Sequence, residues 1–141
     1  KSSVRYITIK VREDSIKLYG LNKVDLAKKI YVLEGPFDSM FLPNALATMD
    51  SALYSITSVL GNLDYTFVYD NQPRNKDIVK MMNRTIERGL AVCFWPSDDD
   101  GKDINDLVKA GMPPEDIKSM IDAHTFSGLT AKIELEKWKK T

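Results

Sequence analysis

The sequence predicts an α/β domain with a mostly parallel sheet of four strands flanked by helices, and two observations support this prediction. From residue 30 onward, four short apolar runs follow one another: "IYVL", "ALYSIT", "YTFVY" and "LAVCFW". Such nearly continuous runs are typical of parallel strands that are buried on both faces. Helical patterns separate most of these runs, so the predicted element order is β-α-β-β-α-β-α.

The segment before residue 30 has a different pattern. "VRYITIKVRED" alternates β-branched or aromatic residues with polar ones, which indicates a half-exposed strand. "SIKLYG" is suited to return beside it as a hairpin partner. We therefore assign residues 1–29 to an N-terminal β extension with a connecting helix that leads into the sheet.

Apolar residues at helical spacing identify the helices. The first set is Phe37, Met40, Phe41, Ala45 and Met49, and the second is Ile78, Val79, Met82 and Ile86. "DINDLVKAG" predicts a short helix closed by Gly111, and "PPEDIKSMIDA" predicts another that begins at proline. "SGLTAKIELEKWKK" predicts a terminal helix, so we place a central domain at residues 30–125 and a C-terminal helix at residues 126–141.

Composition limits the classes of protein to consider. With 141 residues, 43% of them hydrophobic and 28% charged, the chain is one globular domain without repeats. Twenty basic and twenty acidic side chains cancel, so net charge favours no particular partner. Cys93 is the single cysteine, which excludes an internal disulfide or a cysteine-based zinc site and favours a reduced, cytoplasmic setting. No run is apolar enough to span a membrane, and the absence of an initial methionine suggests a piece of a longer protein.

Acidic residues follow several of the predicted strands. Glu34 ends the first apolar run, Asp70 ends the third, and Asp98, Asp99 and Asp100 with "GKDIND" follow the fourth. Ligands of open parallel sheets bind outside the carboxyl ends of the strands, where these carboxylates would converge and repel one another unless a cation joined them. Oxygen ligands without histidine favour Mg²⁺, with Mn²⁺ as an alternative, and therefore phosphoryl or nucleotidyl chemistry.

Taken singly, each acid also has a structural explanation. Gly35-Pro36 begins a helix, so Asp38 fits a first-turn position that the helix dipole favours. Asp103 fits the N-cap of the helix in "INDLVKAG", and the three consecutive aspartates fit a solvated turn.

Several motifs follow one another along the chain: "LYGLNKVDLAKK", "EGPFD", "VLG", an Asp-led turn after "TFVY", and "GKDINDLVKAG". In this order they resemble the motifs of the Toprim domain shared by bacterial-type primases, topoisomerases, recombination mediators and some nucleases. The resemblance covers about residues 18 to 112 and is nearest to primases of T-even-like phages. It implies a Rossmann-like fold and makes residues 30–125 the Toprim catalytic domain.

The resemblance also implies roles for single residues. The residues that match the catalytic positions are Glu34, Asp38 and Asp70. The residues that match metal-binding positions are Glu34, Asp70, Gln72, Asp103 and Asp106, with Lys102 near the phosphates. Gln72 stands where the family has a second aspartate, so this site carries one negative charge less and a second tightly held metal is in question.

The helix after Asp70 carries a row of cations at four-residue spacing: Lys76, Lys80, Arg84 and Arg88. Like charges at this spacing repel, so we interpret the row as a stripe that follows a nucleic-acid backbone, with Arg74 and Lys76 nearest the phosphates. A solvated face partly neutralised by Asp77 and Glu87 is the structural alternative.

The resemblance implies the catalytic core of a DNA primase, a magnesium-dependent nucleotidyltransferase that makes short RNA primers on single-stranded DNA from nucleoside triphosphates. A replicative helicase is the expected partner of the full-length protein, and a membrane is not expected. Because related primases also need a zinc module and a basic subdomain, we expect this chain alone to be poorly active. The alternatives are a Toprim nuclease and, because of Gln72, an inactive binding module in repair or replication.

Overall fold

The structure is a computed structural model that describes residues 6–11, 14–49, 52–97 and 101–140. The strands are β1 (Tyr6–Val11), β2 (Asp14–Tyr19), β3 (Ile30–Glu34), β4 (Ala45–Thr48), β5 (Tyr65–Val68), β6 (Ala91–Cys93) and β7 (Thr125–Phe126). The helices are α1 (Pro36–Ser39), α2 (Thr57–Leu60), α3 (Lys76–Glu87), α4 (Ile104–Lys109), α5 (Pro114–Ala123) and α6 (Gly128–Trp138), and a 3₁₀ turn covers Leu53–Ile56.

The strands form one mixed sheet in the order β1-β2-β4-β3-β5-β6-β7. Its centre, β4-β3-β5-β6, is parallel, which confirms the predicted α/β fold with a mostly parallel core of four strands. The N-terminal extension is the predicted hairpin, and it joins the same sheet because β2 pairs antiparallel with β4. At the other end, β7 pairs antiparallel with β6 and adds a strand that the sequence did not predict.

Helices cover both faces of the sheet because the parallel strands are apolar on both sides. In β3, Ile30 and Val32 belong to one core and Tyr31 and Leu33 to the other, as the alternation of a strand requires. The first core includes Met82 and Ile86 of α3 with Ala131 and Leu135 of α6. The second core includes Ile104 and Leu107 of α4 with Ile117 and Ile121 of α5.

The register of the central strands fixes where their carboxyl ends lie. Leu33 of β3 is paired with Val68 of β5 in a parallel ladder, so the residues that follow leave the sheet at the same edge. Those residues are Glu34, the last residue of β3, and Tyr69-Asp70, which follow β5. The edge at which ligands bind in this architecture therefore carries both predicted acids.

The predicted strand "ALYSIT" is wrong. Leu53 and Ile56 lie three residues apart and are both fully buried, so this segment packs one side of a 3₁₀ turn against the core. The second parallel strand is instead β4, which begins soon after Pro43. A short apolar run does not distinguish a helical turn from a buried strand by periodicity, which is the reason for this error.

Two predicted helices also differ from the structure. The helix expected from Phe37 to Met49 ends at Ser39, because Pro43 cannot continue a helix and Asn44 adopts a left-handed φ of 55° before β4. The connecting helix expected before residue 30 does not form; residues 21–29 are turns, and the Asn44 side chain binds the backbone of Asp25 and Lys29 there.

The remaining helices are confirmed. The row that contains Ile78 and Ile86 lies in α3, whose N-cap Asn75 accepts hydrogen bonds from the N–H groups of Asp77 and Ile78 at 2.9 and 3.2 Å. The three helices predicted after residue 100 are α4, α5 and α6. Within the described ranges, no helix combines the length and the apolar character that crossing a membrane requires.

Candidate metal and nucleotide site

Glu34 is the last residue of β3 and the first to be exposed after four buried ones. Gly35 follows with a φ of 95°, a backbone conformation that side-chain-bearing residues rarely adopt, and Pro36 opens α1 immediately afterwards. A Cβ at position 35 would meet no described atom within 4 Å, so glycine is required by the turn itself rather than by a crowded site.

Asp70 lies two residues beyond β5 and is partly buried. Burial, together with the negative charges of Asp38, Asp103 and Glu34, raises the pKa of Asp70 to about 7, while Lys102 opposes them. Four carboxylates from three separate parts of the chain therefore act on one another at this edge. The structure thus brings together the acids predicted from the strand ends and from "GKDIND".

Asp38 is buried in α1, and its Oδ1 accepts a hydrogen bond of 3.0 Å from the backbone N–H of Asn105 at the start of α4. Burial and, after it, the negative charge of Asp103 raise the pKa of Asp38 to about 6. The hydrogen bonds from the backbone of Asn105 and Ile104 act in the opposite direction. Asp38 therefore both joins α1 to α4 and adds negative charge beside Asp70.

Asp103 and Asp106 organise the beginning of α4. Asp103 is the N-cap residue, and its Oδ1 accepts the N–H of Asp106 at 2.9 Å. Asp106 in turn accepts the backbone N–H of Lys102 at 2.8 Å through Oδ2. Each of these carboxylates has one oxygen engaged with the backbone, so the capping explanation considered for Asp103 is confirmed. Its charge nevertheless reaches Asp70 and Asp38.

Asn71 is a residue of this edge that the sequence analysis missed. Its side chain is buried, and Nδ2 donates to the carbonyl oxygens of Ser97 at 2.7 Å and Gly101 at 2.9 Å. Its backbone N–H donates to the carbonyl of Lys102 at 2.6 Å. Asn71 therefore holds the chain on both sides of residues 98–100 next to Asp70. A buried amide that binds distant carbonyls leaves no pattern in a sequence.

Gln72 shares a cavity of about 340 Å³ with Glu34 and Asp70. Its amide oxygen accepts a hydrogen bond of 3.2 Å from Nδ2 of Asn75, the N-cap of α3. Lys80 of α3 lines the same cavity. The predicted acids Glu34 and Asp70, the amide at the third predicted position and one cation of the stripe therefore surround one space.

The described residues contain no group of three or more histidine, cysteine or acidic side chains that could hold a metal ion by themselves. A magnesium ion does not need such a group, because it commonly binds one or two carboxylates and completes its shell with water and phosphate oxygens. Glu34, Asp70 and the Gln72 amide provide oxygen donors of that kind around one cavity. The donor set therefore fits a hard divalent cation.

The cations of the predicted stripe divide into two groups. Arg74, Lys76 and Lys80 line a groove between α3 and α6 of about 560 Å³, together with Lys139 and Lys140. Arg88, at the other end of α3, lies with its guanidinium 4.2 Å from the centroid of the Tyr54 ring. The stripe is therefore not one continuous row, because its last cation is stacked on an aromatic ring.

One predicted cation is not brought into the site by the structure, and three predicted acids are not tested by it. Arg84 is exposed on α3 and lines neither the acidic cavity nor the groove. Asp98, Asp99 and Asp100 lie outside the described residues.

No family model matches the chain. The chain is 36% identical over 138 residues to the DNA primase of Enterobacteria phage T4. The aligned region covers 96% of this chain and 40% of that relative, so the chain spans about two fifths of the protein that it matches. The predicted resemblance to a phage primase is confirmed by this similarity, and the Toprim assignment rests on the motifs quoted above.

Proposed function

We propose that this primase-related chain is the Toprim catalytic core of a DNA primase, which joins nucleotides into short RNA primers on single-stranded DNA with the help of Mg²⁺. Mn²⁺ is an alternative ion with the same ligand preference. The similarity to a phage primase and the acids at the carboxyl edge of the sheet support this function together.

The observation that carries the proposal is the electrostatic state of Asp70. Its pKa is raised to about 7 by burial and then by Asp38, Asp103 and Glu34. A carboxylate that is crowded by others and only weakly compensated is stabilised by a cation from outside the chain. A divalent ion that also binds a triphosphate supplies this charge.

Glu34 and Asp70 would hold the ion, with the Gln72 amide oxygen as a neutral ligand. When bound, the ion neutralises phosphate charge and orients the reacting groups for in-line displacement. Asp38, Asp103 and Asp106 each have an oxygen engaged by a backbone N–H, so they contribute negative charge and fix α4 rather than enclose the ion. Lys102 would bind phosphate oxygens beside Asp70.

The groove between α3 and α6 is the proposed path of the template strand. Lys76 and Lys80 form no salt bridge among the described residues, and Val79 and Leu135 provide apolar surface between the cations. Lys80 lines both this groove and the cavity of Glu34 and Asp70. A phosphate backbone in the groove would therefore lead to the acidic edge.

A second candidate function is a nucleic-acid-binding module without catalysis. It is favoured by Gln72, which replaces an acid, and by the absence of a closed group of three metal-binding side chains among the described residues. In this case the groove binds single-stranded DNA whether or not magnesium is present.

The test is primer synthesis by a primase that carries this domain, with single-stranded DNA, ribonucleoside triphosphates and Mg²⁺. We expect Asp70→Asn and Glu34→Gln each to lower the rate at least about 100-fold, because removal of one group that stabilises transition-state charge costs this much. The matched control is Glu115→Gln, which removes an exposed carboxylate at the start of α5.

Wild-type rates in both site variants would contradict the proposal. If these variants lose primer synthesis but keep their affinity for single-stranded DNA, the acidic edge acts in catalysis and the groove binds DNA independently of it. If the wild-type primase binds DNA but synthesises no primer under these conditions, the second candidate is the better description.

A further inference from the structure

A second cavity, of about 430 Å³, lies between the carboxyl end of β6 and the C-terminal half of α6. It is lined by aromatic side chains from the segment after β6, from β7 and from α6: Phe94, Trp95, Phe126 and Trp138. Its volume lies in the range of small-molecule sites, which are mainly apolar with a few well-placed polar groups. The function proposed above does not use this cavity.

The cavity adjoins the acidic edge through hydrogen bonds. Ser97, which lines the cavity, accepts a bond of 2.7 Å from Nδ2 of Asn71, the residue after Asp70. Trp95 donates from Nε1 to the carbonyl of Tyr69 at 2.9 Å. A molecule in the cavity would therefore lie beside the strand ends that carry the acids.

Trp138 leaves a hydrogen-bond donor without a partner. Its Nε1 is buried and has no partner among the described residues, although its ring packs against Phe94 with a centroid distance of 6.3 Å. A buried indole N–H normally finds an acceptor, so its isolation calls for an explanation. A bound molecule with an acceptor atom at its edge provides one.

His124 supplies a hydrogen-bond acceptor to the same cavity. Its Nδ1 lies 2.8 Å from the carbonyl oxygen of Met120, and because a carbonyl only accepts, Nδ1 carries the proton in the neutral ring. Nε2 is then an acceptor, and it has no partner in the described part of the chain. The carboxylate of Glu134, paired with Lys137 at 3.5 Å, lines the same cavity and also accepts.

We propose that this cavity binds the purine or pyrimidine base of a nucleotide. A base is flat, stacks on aromatic rings, and carries both an acceptor for Trp138 and a donor for His124 or Glu134 at its edge. Lys137 and Lys140 line the cavity and provide positive charge for the attached phosphates. This inference rests on the proposed function, because it assumes that a nucleotide or a template strand is a natural ligand.

The test uses the two tryptophans of the chain as reporters, because both line the cavity. Their two indole N–H resonances are assigned in the full chain of 141 residues with the variant Trp138→Phe. Adenosine, guanosine, cytidine and uridine are then added without metal, followed by their triphosphates. We expect the Trp138 signal to shift with a nucleoside and the Trp95 signal to move less, because Trp95 already donates to Tyr69.

Variants add an affinity measurement. Trp138→Phe keeps a ring against Phe94 but removes the donor, and we expect it to weaken nucleoside binding about fivefold, as loss of one hydrogen bond does. Trp95 fluorescence reports binding in this variant. The matched control is Lys132→Gln, an exposed residue of the same helix that does not line the cavity.

If no nucleoside shifts the Trp138 indole signal, the inference is overturned. A shift with triphosphates alone would also overturn it, because it shows phosphate binding without base recognition. A stronger response to a short single-stranded oligonucleotide than to mononucleotides supports the inference and assigns the base to the template. The reverse order also supports it and assigns the base to the incoming nucleotide. Since the measurement needs neither metal nor catalysis, its failure is distinct from failure of the acidic site, which Asp70→Asn tests.

Discussion

Asp70 and Asp122 are two partly buried carboxylates with opposite surroundings. Asp122 accepts hydrogen bonds from Tyr31 at 2.6 Å and Lys118 at 2.8 Å, and Lys29 lies 3.4 Å away. Burial alone would raise the pKa of Asp122, but the bonds from Lys118 and Tyr31 outweigh it and lower the pKa below 3.8. The pKa of Asp70 is instead raised to about 7 by burial and by neighbouring carboxylates.

The difference separates a structural acid from a candidate functional one. Asp122 has its counter-charges within the chain, so it needs no ligand to be stable as an anion. Asp70 is surrounded mainly by other acids, and hydrogen bonds from backbone N–H groups hold Asp38 and Asp103 in place. A strained group of charges that the fold nevertheless maintains is typical of a binding or catalytic site.

The largest expected effect comes from breaking the acidic edge without changing a charge. Asn71→Ala removes the bonds to the carbonyls of Ser97 and Gly101 and leaves both without this partner. We expect the free energy of unfolding to fall by about 2–3 kcal/mol. Chemical denaturation measures this change, and a loss below about 0.5 kcal/mol would show that Asn71 does not hold the edge.

A smaller loss is expected from the structural acid. Asp122→Asn removes the ion pairs with Lys29 and Lys118 but keeps an oxygen for Tyr31, so we expect a loss of about 1 kcal/mol at pH 7. Because the native pKa is lowered, the stabilisation is present above the ordinary carboxyl pKa of 3.8 and disappears as pH falls through the native value. The difference in unfolding free energy between the variant and the wild type should therefore narrow as pH falls from 7 to 3, and a constant difference would contradict this account.

Substitution of Asp70, the candidate functional acid, should change the free energy of unfolding in the opposite direction. In the absence of metal, Asp70→Asn removes one of several mutually repelling charges, and we expect it to stabilise the fold by about 1 kcal/mol at pH 8. Asp122→Asn at the same pH is the matched comparison. Destabilisation of both variants would remove the distinction between the two acids.

The smallest expected effect concerns the two ends of α3. Lys80→Gln should reduce the salt dependence of single-stranded DNA binding by about 0.7 in the slope of log K against log salt, the loss of one phosphate contact. Arg88→Gln should leave the slope unchanged, because Arg88 is stacked on Tyr54. Equal changes of the slope in the two variants would show that Lys80 and Arg88 both contact phosphates, as the continuous stripe predicted from the sequence requires.

The sequence predicts the parts of this molecule that depend on local pattern. The strands β3, β5 and β6, the helix α3 and the placement of Glu34 and Asp70 follow from apolar runs and from the acids that end them. "ALYSIT" was assigned wrongly because a run this short has no reliable period.

What the sequence could not predict depends on contacts between distant segments. The side-chain bonds of Asn71 reach residues 26 and 30 positions away. The unpartnered Nε1 of Trp138 becomes visible only when α6 packs beside β6. The interaction of Arg88 with Tyr54 likewise joins two elements that no motif connects.

The most direct test of the acidic edge as a metal–phosphate site is the melting temperature of the chain with Mg²⁺ and a nucleoside triphosphate. With the Mg²⁺-bound nucleoside triphosphate at about ten times its dissociation constant, we expect the wild type and Asp122→Asn to melt about 3–5 °C higher than without these ligands. Asp70→Asn should show a rise of less than about 1 °C, because it lacks the carboxylate proposed to hold the ion. An equal rise in all three proteins, or no rise in the wild type, would contradict the account.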